Sequence, residues 1–201
     1  MALSLPARFA AALIALAAWA GLAVQLQASM DISGSAGAAL WAMLRYFTVL
    51  TNLLVALIFT GAALGRRISP FTYGGVTLAI LLVGVVFALL LNGLVELSSG
   101  ALLADVLMHR VTPLLVPLWW LAFAAKGGLG RRGPFLWMLY PLGYFAYALA
   151  RAGLDGRYPY PFMDVGRIGW LQTGLNALEV AAGFLLAGLL LVWLDRRLAR
   201  D

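Results

Sequence analysis

Residues 72–95 read TYGGVTLAILLVGVVFALLLNGLV and contain no charged side chain. A helix of this length, at 1.5 Å per residue, is long enough to cross the roughly 30 Å hydrocarbon core of a bilayer. The whole chain has the same character, because 64% of its 201 residues are hydrophobic, 11% are charged and its mean hydropathy is +0.95. Soluble domains are nearer half apolar and a quarter charged. The sequence therefore predicts an all-α integral membrane protein.

Six apolar stretches of sufficient length predict a six-helix transmembrane bundle that forms a single domain over residues 1–201. The first stretch also resembles a signal peptide, but its length and Trp19 favour a retained helix. Residues 153–170 are predicted to form an ordered outer loop. The predicted spans cover about 8–27, 38–64, 72–95, 105–125, 134–152 and 171–194.

Basic residues alternate with the predicted spans and indicate the topology. One set of loops and ends carries most cations, namely Arg8, Arg66, Arg67, Lys126, Arg131, Arg132, Arg196, Arg197 and Arg200. The opposite loops are mainly acidic, with Asp31, Glu96, Asp105, Asp155 and Asp164 against Arg157 and Arg167. The positive-inside rule places both termini in the cytoplasm, as in a bacterial inner-membrane protein. The net charge of +6 then reflects topology, which argues against nucleic acid as a partner.

The side-chain inventory narrows the classes of function. The chain has no cysteine and a single histidine, His109, so a zinc or haem site would have too few ligands. The only lysine, Lys126, follows a predicted span on the cytoplasmic side, which argues against a retinal photoreceptor. We expect neither a metal nor a cofactor.

Polar side chains within the spans are few, and in lipid such groups usually face the bundle interior and mark function. In span two, Arg45, Thr48 and Asn52 have the spacing of one helix face. Span four carries His109 with Asp105 one turn earlier, where a carboxylate can orient an imidazole. The other candidates are Asn92, Arg110, the span-five stripe Tyr140, Tyr144, Tyr147 and Arg151, and the span-six residues Thr173, Asn176 and Glu179.

Each of these polar residues also has a structural interpretation. The Thr48 hydroxyl could bond to a carbonyl of its own helix, as is common in membranes, and the tyrosine stripe could be a packing seam. Glu179, about 12 Å from the outer end of its span, is expected to be buried and either protonated or paired with an arginine. All these residues lie in the middle or outer half of their spans. That distribution favours a polar pocket open to the outside over a through-going ion path.

Two motifs resemble a known family. RYFTVLTNLL at 45–54 and LMHRVTPLLVP at 107–117 are similar to segments of the androgen-induced and androgen-dependent membrane proteins. These are multipass threonine hydrolases that cleave fatty acid esters of hydroxy fatty acids, and they have bacterial relatives. The matching elements are a basic-aromatic-apolar-threonine signature ending at Thr48 and a histidine followed by proline, at His109 and Pro113. The six-span layout and the outer-loop segment 158–161, YPYP, are similar too.

The resemblance implies a lipid ester hydrolase in which Thr48 is the nucleophile and His109 the base, with Thr51 as a competing threonine. An acyl-enzyme would form on the hydroxyl after the imidazole takes its proton. The two side chains must then lie about 3 Å apart, so spans two and four must be neighbours. On straight helices, however, Thr48 lies about 15 Å and His109 about 6 to 8 Å below the outer boundary.

Supporting roles are expected for the remaining polar residues. Asp105 could be the orienting third member of a triad. A substrate carboxylate needs a cation, and the oxyanion of the reaction needs a donor. The candidates for substrate or oxyanion binding are Arg45, Asn52, Asn92, Arg110, Tyr144, Arg151, Asn176 and Glu179.

Two further hypotheses remain open at the level of sequence. The same pocket could belong to a non-catalytic lipid- or small-molecule-binding protein or transporter, with Glu179 as a proton-linked site. A scaffold subunit would explain the abundant Gly and Ala, but not the clustered polar residues. For the hydrolase and for the binding protein or transporter, the partner is a lipid ester, a fatty acid or another small molecule held in the membrane.

Overall fold

The computed structural model describes residues 3–93 and 99–199, and every regular element within them is helical. The chain divides into two compact units, Met1–Lys126 and Gly127–Asp201, and each is described by itself. The expectation of a single domain stays a prediction. Glu96 and Arg200, two charges of the topology pattern, lie outside the described residues.

The described part of the first unit consists of helices joined by short turns. Three of these helices begin with a serine, Ser4, Ser35 or Ser69, whose hydroxyl accepts a hydrogen bond from an amide of the first turn. The elements are α1 (Leu5–Ser33), α2 (Ala36–Met43), α3 (Phe47–Ala63), α4 (Pro70–Val86), a first π segment (Phe87–Leu91), α5 (Ser99–Val106), a second π segment (Leu107–Val111) and α6 (Thr112–Phe123).

Helix α1 is central to the packing of the first unit. It contacts α2, α3, α5, α6 and the second π segment, and its most extensive contact is with α3. The Trp119 indole N–H of α6 donates to the Ala7 carbonyl of α1 at 2.9 Å. The Trp119 ring also packs against Phe59 and Tyr73, at centroid distances of 5.1 and 4.9 Å. The predicted first span therefore packs as part of the core.

The second unit contains α7 (Gly133–Trp137), α8 (Leu139–Asp155), a short 3₁₀ turn (Pro161–Met163) and α9 (Val165–Arg197). Helix α9 is kinked at Gly169, whose φ of 78° is left-handed and suits glycine. The predicted outer loop is ordered, because Met163 is fully buried and Tyr160 stacks on Phe162 with centroids 5.2 Å apart.

Four helices of the described residues are long and apolar enough to cross a bilayer, which is consistent with an integral membrane protein. They are Leu5–Ser33, Pro70–Leu91, Gly100–Phe123 and Val165–Arg197, and they correspond to predicted spans one, three, four and six. A fifth is added if α2 and α3 count as one bent span. The exact figure of six spans stays a prediction.

The prediction of one continuous helix for span two is wrong. Helices α2 and α3 are bent by 99° at a break formed by residues 44–46. The amides of Arg45 and Tyr46 bond to carbonyls only three residues back, at 3.3 and 3.0 Å, so the chain tightens and leaves the α-helical path. Arg45 therefore lies in the break and does not share a helix face with Thr48 and Asn52.

Predicted span five, 134–152, is also divided. Helix α7 ends at Trp137 and α8 begins at Leu139. Pro141 has no amide hydrogen to donate to the carbonyl four residues earlier, that of Trp137, which explains the interruption. Helix α8 has 17 residues and is not among the helices long enough to qualify as a span.

Candidate active site

Three side chains of the first unit form a continuous hydrogen-bonded chain. Thr48 Oγ1 lies 3.2 Å from His109 Nε2, and His109 Nδ1 lies 2.9 Å from Asp105 Oδ1. An ionised carboxylate only accepts hydrogen bonds, so in the neutral imidazole the proton is assigned to Nδ1, and Nε2 can accept a hydrogen bond from the threonine hydroxyl. Thr60, by contrast, donates to the Ala56 carbonyl of its own helix at 2.7 Å. The Thr48 hydroxyl is thus directed at a base, not at its own helix.

The bend between α2 and α3 explains how Thr48 and His109 meet. Because α3 begins at Phe47, Thr48 lies in the first turn of its helix and not deep within a long span. The expected difference in depth between the two side chains, about 7 to 9 Å on straight helices, is removed by this break. Thr48 is buried and His109 nearly so, with 7% and 17% exposure.

The His109 ring is fixed by the elements around it. It lies in the second π segment and stacks on Phe87 of the first, with centroids 4.2 Å apart and planes inclined by 12°. Two glycines allow neighbouring helices to approach this segment and the first turn of α6 that follows it. A Cβ at Gly84 of α4 would lie 2.8 Å from Pro113, and one at Gly21 of α1 would lie 2.8 Å from Met108. The position of the imidazole is therefore set by packing as well as by Asp105.

Arg110 and Asn92 extend the network on its exposed side. Arg110 Nη1 lies 3.3 Å from Asp105 Oδ2, and Nη2 donates to Asn92 Oδ1 at 3.2 Å. The guanidinium also lies 5.3 Å from the centroid of the Phe87 ring. The Arg110 side chain is 47% exposed and that of Asp105 only 10%, so the arginine balances a nearly buried carboxylate while remaining accessible.

Asn52, a candidate for donating to an oxyanion, is hydrogen-bonded within the protein, and an oxyanion role for it stays a prediction. Its amide donates to the carbonyls of Thr48 and Met108, at 3.0 and 3.2 Å, and its oxygen accepts from the Thr112 hydroxyl at 2.7 Å. Both amide hydrogens are engaged, and the side chain is fully buried. Thr112 was not among the residues singled out from the sequence, although its spacing of three residues from His109 indicates a shared helix side.

The remaining cations that were candidates for the pocket mouth are buried. Arg45, in the break before α3, is 5% exposed. Arg151 belongs to the second unit and is 3% exposed, and its Nη1 donates to the Tyr147 hydroxyl at 2.8 Å. Tyr144, also buried, lies with its ring centroid 6.3 Å from that of Tyr147. Part of the tyrosine stripe of α8 is therefore a packed seam that ends in a buried arginine.

The polar residues of α9 do not share one environment. Thr173 is buried and donates to the Gly169 carbonyl at 2.9 Å, and Asn176 donates to the Phe162 carbonyl at 2.8 Å. Glu179 is exposed, so the expectation of a buried carboxylate is wrong. Each three-residue step turns a helix by about 300°. Glu179, two such steps after Thr173, therefore points about 120° away from the buried threonine.

Neither a metal-binding cluster in the described part of the chain nor a known relative identifies the chemistry of this site. Among the described residues, no group of three or more His, Asp or Glu side chains could hold a metal ion. Comparison of the chain with protein-family models, curated proteins and solved structures finds no match. The chemistry of the site must therefore be inferred from its own residues.

Proposed function

We propose that this protein is an intramembrane hydrolase of lipid esters, with Thr48 as nucleophile, His109 as general base and Asp105 as the orienting acid. One observation carries the proposal. The hydroxyl, the imidazole and the carboxylate lie in a line with contacts of 3.2 and 2.9 Å. A weak alcohol nucleophile becomes reactive when a base within hydrogen-bond reach is itself held by a third group.

The reaction then proceeds in two halves. Thr48 Oγ1 attacks the ester carbonyl carbon while His109 Nε2 takes the hydroxyl proton. The bond to the leaving alkoxide breaks, and the imidazolium gives that proton to the alkoxide, which leaves as an alcohol. Water next attacks the acyl-threonine and loses a proton to His109. The threonine oxygen leaves, recovers the proton and releases a fatty acid.

The backbone offers a donor for the oxyanion that forms in each half. Thr48 is the second residue of α3, and the first N–H groups of a helix have no carbonyl of their own helix to bond. Its amide is thus the donor closest along the chain to the attacking hydroxyl. Since Asn52 is fully engaged by other partners, this amide is the better candidate for stabilising the negative charge.

The position of Arg110 favours a substrate that carries an anionic group in addition to its ester. It is the half-exposed cation of this network, and it lies beside the residue that holds the base. The carboxylate of a fatty acid ester of a hydroxy fatty acid, the substrate class implied by the resemblance, is such a group.

We extend the proposal to six crossings of a bacterial inner membrane with both termini inside. The non-catalytic alternative loses support, since its proton-linked residue, Glu179, is exposed.

The test is hydrolysis of a panel of fatty acyl esters, including p-nitrophenyl octanoate, by the purified protein in detergent. Thr48→Ala and His109→Ala are each expected to lower kcat by about 10³-fold or more, because either change removes a member of one catalytic unit. A fluorophosphonate probe should label Thr48 in the parent and be displaced by substrate.

Thr51→Val is the matched control, because it removes a buried threonine hydroxyl from the same helix, one turn from Thr48. This variant should keep most of the parent activity and the same probe labelling. Hydrolysis at the parent rate by Thr48→Ala and His109→Ala variants that fold normally would refute the proposal. Probe labelling of Thr51 in place of Thr48 in the parent protein would show that Thr48 is not the nucleophile.

A further inference from the structure

The second π segment contains a backbone carbonyl that its own helix cannot satisfy. In an α-helix the Met108 carbonyl would accept from the amide of Thr112, but that amide donates to the Leu107 carbonyl instead. In a π-helix the donor would be the amide of Pro113, which has no hydrogen. The residue immediately before His109 therefore has a carbonyl with no helical donor in either register.

Side chains supply the missing donor, chiefly Asn52. Its Nδ2 lies 3.2 Å from the Met108 carbonyl and 3.0 Å from the Thr48 carbonyl, whereas the Thr112 hydroxyl lies 3.4 Å from the Met108 carbonyl. One amide group thus bridges the backbone of the proposed nucleophile and the backbone next to the proposed base. The Thr112 hydroxyl donates to Asn52 Oδ1 at 2.7 Å, which fixes the orientation of the amide, since the reverse orientation would set oxygen against two carbonyls.

From these contacts we infer that Asn52 is a positioning residue that sets the distance between the Thr48 hydroxyl and His109 Nε2, a role that rests on the hydrolase chemistry proposed above. The side chain is fully buried, and its Nδ2 and Oδ1 together make three hydrogen bonds within the protein, so it cannot bind the substrate. Its effect on the reaction is exerted through the second π segment. Pro113 creates the unsatisfied carbonyl, and Asn52 uses it to join α3 to that segment.

The single histidine of the chain permits a direct measurement. Protein labelled with ¹⁵N-histidine and purified without a polyhistidine tag gives imidazole signals from His109 alone. The parent should show the Nδ1–H tautomer with a hydrogen-bonded Nε2. In Asn52→Leu, the Met108 and Thr48 carbonyls lose the amide that joins them, and we expect the Nε2 signal to shift toward that of an imidazole without the Thr48 hydrogen bond.

Kinetics with p-nitrophenyl octanoate separate positioning from binding. We expect Asn52→Leu to lower kcat about 100-fold, as a displacement near 1 Å can do, while KM changes less than about threefold. Pro113→Ala restores an amide hydrogen within reach of Met108, so the double variant Asn52→Leu/Pro113→Ala should recover part of the lost kcat and of the Nε2 signal. Gln25→Leu is the matched control, because it removes another hydrogen-bonded side-chain amide, one that donates to Ser29 within α1, and it should change neither readout.

The outcomes separate this inference from the proposed function. A parent without esterase activity, but with a His109 signal that shifts in Asn52→Leu, would refute the hydrolase and retain the positioning role. An active parent whose kcat and Nε2 signal survive Asn52→Leu would overturn the inference. If Asn52→Leu does not fold, Thr112→Val decides, because it leaves Asn52 in place and removes the hydroxyl that orients the amide and lies 3.4 Å from the Met108 carbonyl. An unchanged Nε2 signal in Thr112→Val would likewise overturn it.

Discussion

Asp105 serves two partners at once, and its substitution tests the orienting role at the scale of a single residue. One oxygen faces His109 and the other faces Arg110. This division keeps a carboxylate neutralised by a cation while it still accepts from the imidazole. Asp105 therefore links the base to the cation that would meet an anionic substrate.

We predict that Asp105→Asn lowers kcat for p-nitrophenyl octanoate by about 10³- to 10⁴-fold, because an amide can donate to Nδ1 and so stabilise the wrong imidazole tautomer. The proton would then reside on Nε2, and a protonated Nε2 cannot accept the hydrogen bond of the Thr48 hydroxyl. Steady-state kinetics give the value. Asp31→Asn is the control, since Asp31 accepts from Gln27 in α1 and is exposed. If Asp105→Asn were as active as the control Asp31→Asn, Asp105 would be excluded from the mechanism.

At the scale of elements, hydropathy predicts where helices lie but not how they are interrupted. Four of the predicted spans correspond to long apolar helices. The break before α3 was missed because Arg45 and Tyr46 lie in an apolar run without Gly or Pro, and the hydrogen-bonding change there leaves no mark on hydropathy. The proximity of Thr48 and His109 was expected from the resemblance, whereas the bend and the π segments that produce it were not expected.

The packing of α4 against the start of α6, directly after the second π segment, gives a prediction at the same scale. Gly84→Ala places a Cβ 2.8 Å from Pro113 Cβ, so α4 or the start of α6 must move. We expect a loss of about 1 to 3 kcal/mol in stability from this overpacking, together with reduced kcat because Phe87 and His109 are displaced. Thermal unfolding in detergent and ester hydrolysis measure the two effects.

Gly143→Ala is the matched control for that experiment. Gly143 lies within α8, and a Cβ there meets no atom within 4 Å. Its substitution should leave stability unchanged or raise it slightly, since alanine favours the helix. A Gly84→Ala variant that unfolds at the temperature of the parent would show that the close approach to Pro113 is not needed.

At the scale of the whole molecule, the absence of cysteine in the 201 residues makes the proposed topology simple to test. We predict that Ser35→Cys and Arg157→Cys react with a membrane-impermeant maleimide applied to the outside of cells. Ser69→Cys and Gly128→Cys should react only after permeabilisation. All four positions are exposed, so their reactivity reports the side of the membrane. Labelling of Ser69→Cys and Arg157→Cys from the same side would contradict six crossings.

The proposed hydrolysis would consume water, which the hydrocarbon of a bilayer scarcely contains. Because α3 starts at Phe47, Thr48 lies only about 1.5 Å along the helix axis from its first residue. In the proposed topology α3 begins on the outer side of the membrane, so an acyl group esterified to this hydroxyl would stay close to the hydrated boundary, while its tail could extend alongside the apolar length of α3. The abrupt turn before α3 would therefore bring the ester bond to the water it needs without drawing the lipid out of the membrane.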